Sequence, residues 1–110
     1  LEAAGHLGEL HLLSPQALES DRHAMREIDP GLEALARRPG VERERLGVLG
    51  FGRGGTLAFL VGCTRRVAAV VDVDGPVLYD ALTSARPSQP LELALNFEGA
   101  FLGLFARLVG

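Results

Sequence analysis

The chain has 110 residues and a formal net charge of −3, which allows one domain (residues 1–110) and excludes the basic footprint of a nucleic-acid or anionic-membrane binder. Its 47% hydrophobic content and mean hydropathy of +0.20 exclude disorder, and a lone cysteine, Cys63, excludes a disulfide framework or cysteine-built metal cluster. His6, His11 and His23 lack zinc-motif spacing, so no metal is expected, and the unpaired thiol points to a reducing cytoplasm.

Residues 1–19 fit either a strand or a short helix around Leu7, Leu10, Leu12 and Leu13. From Ser20 the pattern is helical: Met25, Ile28, Leu32 and Leu35 form one apolar stripe. Pro30 predicts a kink, or a restart with Asp29 as N-cap, and Pro39-Gly40 stops the helix. His23 reads as a surface or boundary residue of this helix. After a charged loop, 41–45, Leu46–Gly50 is an apolar run without alternation, as in a parallel strand buried on both faces. A glycine-rich turn follows, then a helix over Arg53–Cys63. Thr64-Arg65-Arg66 ends it, and Val67–Val71 reads as a second buried strand.

Helix, strand, helix, strand predicts a right-handed crossover and a mostly parallel sheet, an α/β fold. Asp74-Gly75-Pro76 is a turn, Val77–Leu82 a short helix and Arg86–Pro90 an exposed loop. Phe101–Phe105 is a third buried strand, or, because Phe97, Phe101 and Phe105 lie four apart, part of an amphipathic helix. Tyr79 and the phenylalanines read as core or interface. Glu92, Glu98 and Arg107 interrupt the apolar tail and argue against a membrane span.

The turn Gly50-Phe-Gly-Arg-Gly-Gly55 admits two chemistries. As G-x-G-x-x-G it uses Gly50, Gly52 and Gly55 to bring a backbone close to a pyrophosphate at a helix N-terminus. Asp72, about 20 residues on, would then hold the ribose of NAD or NADP. As a nucleophile elbow the same segment uses Gly50, position 52 and Gly54, with the Arg53 amide as an oxyanion donor. Position 52 is glycine, so the nucleophile is absent. Cys63, three helical turns on, reads as a small buried hydrophobe rather than a replacement. A positive Arg53 at a helix start is mildly misplaced, which favours contact with an anion. Asp72 and Asp74 end a strand at the sheet's carboxyl edge, where they either meet a ligand or cap the loop.

Around the turn, Pro39-Gly-Val41, the strand ending in Gly50-Phe51, and Gly54-Gly-Thr-Leu-Ala-Phe-Leu60 resemble α/β-hydrolases, most closely the dienelactone hydrolase branch. Val67–Val71 and Pro90–Phe105 resemble that family's next two strand segments. The resemblance covers residues 20–106 and is most specific over 39–60. It implies a three-layer α/β-hydrolase-like fold, of which this chain holds a central part, with the strand at 46–50 central and preceded by another strand from the N-terminal third. It also implies a small-molecule ester or lactone as substrate, no cofactor, and a nucleophile–aspartate–histidine triad. Gly52 stands where that nucleophile belongs, and Ala106–Gly110 offers no acid. The chain therefore reads as an interior piece or degenerate member of the family, inactive as a triad hydrolase. Exposed sheet edges make a homo-oligomer or a non-catalytic interaction module the third reading.

Overall fold

The computed structural model describes residues 2–3, 6–7, 14–15 and 19–106. His11, much of the ambiguous N-terminal stretch and Arg107–Gly110 lie outside the described residues. Two short strands, β1 (Glu2–Ala3) and β2 (His6–Leu7), pair antiparallel in a small sheet of their own.

Helix α1 spans Asp21–Ala36, with Ser20 as N-cap accepting the His23 amide at 3.3 Å. It runs through Pro30 without restarting at Asp29. Arg37 ends it, and Gly40 turns the chain with φ 84°. A 3-10 turn, Arg43–Arg45, leads into β3 (Gly47–Phe51), followed by α2 (Arg53–Thr64) and β4 (Ala69–Val73). The final strand, β5 (Ala100–Leu104), follows a 3-10 helix over Pro90–Asn96.

The main sheet has the order β3-β4-β5 and both its pairings are parallel, so the α/β expectation holds. The amphipathic-helix alternative for the last segment does not. Other boundaries move. The second predicted strand lies two residues later than expected, because Arg65–Ala68 are needed to bring the chain from the helix back to the sheet. Val67 is buried from that connection rather than from a strand. No helix forms over 77–82; the segment is a series of bends whose Tyr79 amide bonds the Gln89 side chain. The 86–90 loop is less exposed than expected, since Pro90 is buried.

Among the described residues β3 is an edge strand, not a central one, since its one neighbour is β4 and the strands of the N-terminal third, β1 and β2, pair only with each other. Nor is it buried on both faces: Leu49 and Phe51 are exposed while Gly50 is buried. Side chains alternate across a sheet, and the register sorts them into two sets. Val48, Val70 and Phe101 lie side by side on one face, with Gly50, Asp72 and Gly103 in the next row. This face carries α2 and α1. Ala58 and Val61 pack on Val67 and Val70, with Met25, Ile28, Leu32, Val48 and Phe97 around them. Phe59, Phe97 and Phe101 form an aromatic cluster with centroids 5.2–5.8 Å apart. The opposite face presents Leu49, Val71 and Leu102, then Phe51, Val73 and Leu104.

Candidate active site

The row Gly50–Asp72–Gly103 decides how closely α2 approaches the sheet. A Cβ on Gly50 would run into the Gly54 carbonyl, and one on Gly55 would overlap the Asp72 carboxyl. One on Gly75 would strike Asp72, the Thr56 amide and the Gly52 carbonyl. These three glycines are required because backbone meets backbone or a buried side chain.

Gly52 is different. It joins β3 to α2 with φ 56° and ψ −126°, a conformation that is costly for any side chain, yet a Cβ there would meet nothing within 4 Å. The turn is fixed by the Gly52 amide donating to the Val73 carbonyl at 2.8 Å. The Gly52 carbonyl in turn accepts the Gly55 and Thr56 amides at 2.8 and 3.3 Å. Thr56 Oγ1 donates to the Pro76 carbonyl at 2.5 Å. Position 52 thus sits on a sharp, held strand-to-helix turn facing open space, the geometry of a nucleophile elbow occupied by glycine. The amides of Arg53 and Gly54, at the first two helical positions, have no earlier helical carbonyl to bond and can face developing negative charge.

The Arg53 side chain does meet an anion, but one supplied by the protein. Its Nη2 donates to Asp21 Oδ1 at 2.5 Å and its Nη1 to the Tyr79 hydroxyl at 2.8 Å. That hydroxyl donates to the Asp21 carboxylate, 2.8 and 2.9 Å from its two oxygens. Both charged side chains are largely buried. Burial, and next the bond to Asp21, raise the Tyr79 phenol above its ordinary pKa. Arg53 is thereby held by α1 and by the 77–89 loop. Asp21 and Tyr79 carried no local sequence signal; the misplaced charge at a helix start was the only pointer to them.

Asp72 is 0% exposed, beneath the turn, with Oδ1 accepting the Gly75 amide at 2.7 Å. It does not face an open cleft as a ribose-binding acid would. Asp74 has φ 59°, and its side chain accepts the Ala106 amide at 2.5 Å while its own amide donates to Leu104, closing the ends of β4 and β5 together. Both aspartates therefore cap loops.

Cys63 is 6% exposed, and burial pushes its thiol up to about 11, so it is a small hydrophobe and not a nucleophile at neutral pH. His23 pairs with Glu27 at 3.0 Å on α1. The cleft bordered by Leu32, Leu46 and Val67 lies at the other end of the strands, where Arg43 and Arg65 are paired with Glu33 and Asp29. Among the described residues no group of His, Cys, Asp and Glu could hold a metal ion, and no helix is long and apolar enough to cross a membrane.

Comparison with known proteins places the chain in a family. The Dienelactone hydrolase family pattern matches residues 10–108, and the chain belongs to that family. It is similar to a probable 2-oxo-3-(5-oxofuran-2-ylidene)propanoate lactonase from Bradyrhizobium sp, with 32% identity over 82 residues. The match covers 74% of this chain and 33% of that relative, so the chain spans about a third of the relative's length. No solved structure matches the chain.

Proposed function

We propose that this member of the dienelactone hydrolase family supplies the elbow portion of a hydrolase acting on small lactones or esters, with Gly52 at the nucleophile position and the Arg53 amide as an oxyanion donor. One observation carries the reading: Gly52 holds a strained elbow conformation while nothing in the packing forbids a side chain there. The related lactonase supports a lactone as the substrate class. The full burial of Asp72 supports the hydrolase reading over a dinucleotide one, which needs an acid open to the ribose. An unpaired Cys63 supports a cytoplasmic setting.

As it stands, the chain should not form an acyl-enzyme. In a serine protease, loss of the nucleophile costs turnover on the order of a millionfold. Introducing a thiol tests the assignment. A cysteine at the N-terminus of a helix has a depressed pKa and enhanced reactivity at neutral pH. Gly52→Cys should release p-nitrophenol from p-nitrophenyl acetate in a burst stoichiometric with protein, and the unsubstituted chain should show none because its thiol is buried. A folded Gly52→Cys variant that reacts no faster than glutathione would overturn the elbow assignment.

A further inference from the structure

Beneath the elbow lies a carboxyl group that the proposed chemistry does not use. Asp72 is completely buried, one of its oxygens accepts the Gly75 amide, and the other, Oδ2, has no hydrogen-bond partner. Among the described residues no cation pairs with it. The packed elements present Gly50 from β3, Gly103 from β5, Gly55 and Thr56 from α2 and Gly75 from the following loop, none of them charged. The charged group that acts on it is Asp74, of the same sign.

An ionised carboxylate in such a place buries a charge on an unsolvated oxygen beside a like-charged neighbour, whereas a neutral acid avoids the charge and the repulsion and keeps only the smaller cost of one unpartnered polar atom. The position is also mechanically central. The same oxygen that accepts the Gly75 amide is the atom a Cβ on Gly55 would strike, and Gly75 packs on the Gly52 carbonyl and the Thr56 amide. Whatever changes at Asp72 is felt on both sides of the turn.

We infer that Asp72 is a proton-dependent strut beneath the elbow: as the neutral acid it fills its buried site without a charge, and as the carboxylate it weakens the fold, because its stronger bond to the Gly75 amide does not offset a charge buried beside an unpartnered oxygen. Burial chiefly raises its pKa above the ordinary 3.8; the Gly75 amide bond opposes that rise and the Asp74 charge adds to it. The folded state therefore binds more protons than the unfolded state in the interval above 3.8. Stability from this group is fully present below that value and is lost as pH rises through the native pKa. Because the readout is stability, the inference stands or falls separately from the hydrolase reading.

The test pairs a variant with a direct titration. Asp72→Asn keeps a carbonyl to accept the Gly75 amide and cannot ionise. Between pH 4 and pH 8 the unsubstituted chain should lose about 5 °C of Tm relative to this variant. Parallel Tm curves would overturn the inference. Carboxyl carbon NMR of the unsubstituted chain should show Asp72 titrating above 3.8, and a midpoint at or below that value would overturn the inference even if the variant fails to fold.

Discussion

The two faces of the main sheet are built from neighbouring residues of the same strands and have opposite characters. Toward the helices, Val48 and Val70 meet Ala58 and Val61 in a packed layer, Phe101 (42% exposed) lies against Phe59 at its edge, and Gly50 and Gly103 flank a buried acid. Away from them, Leu49, Phe51, Leu102 and Leu104 are each at least half exposed. The difference shows that hydrophobic content alone does not locate the core. Both faces are apolar, and only the one whose glycines let a helix approach has become interior.

Three substitutions would break or sharpen that contrast. The largest effect is expected at Gly50→Ala, where the new methyl group meets the Gly54 backbone and α2 has to lift from the sheet. We expect a loss of at least about 3 kcal/mol of unfolding free energy in urea titration, or no folded protein at all. Leu57→Ala comes next. Leu57 is 1% exposed between Ala24 and Leu60, and truncation should cost about 3 kcal/mol with the fold preserved. The smallest effect is expected at Leu102→Ser on the open face, within about 0.5 kcal/mol of unsubstituted protein. A loss of 2 kcal/mol or more at Leu102 would show that this face is covered in solution, by a second copy for instance, and would erase the contrast.

Much of the architecture was legible because it rests on local patterns. The stripe Met25–Leu35 gave α1, the glycine turn fixed the β3–α2 junction, and the apolar runs near 46, 67 and 101 marked three strands. Register within those runs was not legible. Val67 is as apolar as Val70, and only the length of chain needed to return from α2 shows which one enters the strand. Apolar runs also could not reveal that β3 has an exposed face, because sidedness depends on which elements pack where.

The sharp glycine turn was readable from the spacing of Gly50, Gly52, Gly54 and Gly55, whereas the Asp21–Arg53–Tyr79 network was not. Its members come from a helix start, a turn and an irregular loop, and nothing but tertiary structure brings them together. Asp72 illustrates the same limit differently. Its distance from the glycine turn matched a ribose-binding acid, but two glycine neighbours and a close helix placed it under the turn instead of beside a cleft.

The parallel register also bears on how the sheet assembles. Strands β3 and β4 are joined through a single helix that packs on both, so their pairing closes a short, self-supporting unit. Strand β5 pairs with β4 only after the irregular segment 74–99 has been gathered in, and much of that segment's order comes from contacts such as Asp74 with Ala106 and Tyr79 with Asp21. Loop closure must be met before such distant pairings reward it. We expect the β3–α2–β4 unit to form first and β5 to dock after it, an order that native-state hydrogen exchange would show as weaker protection of the β5 amides.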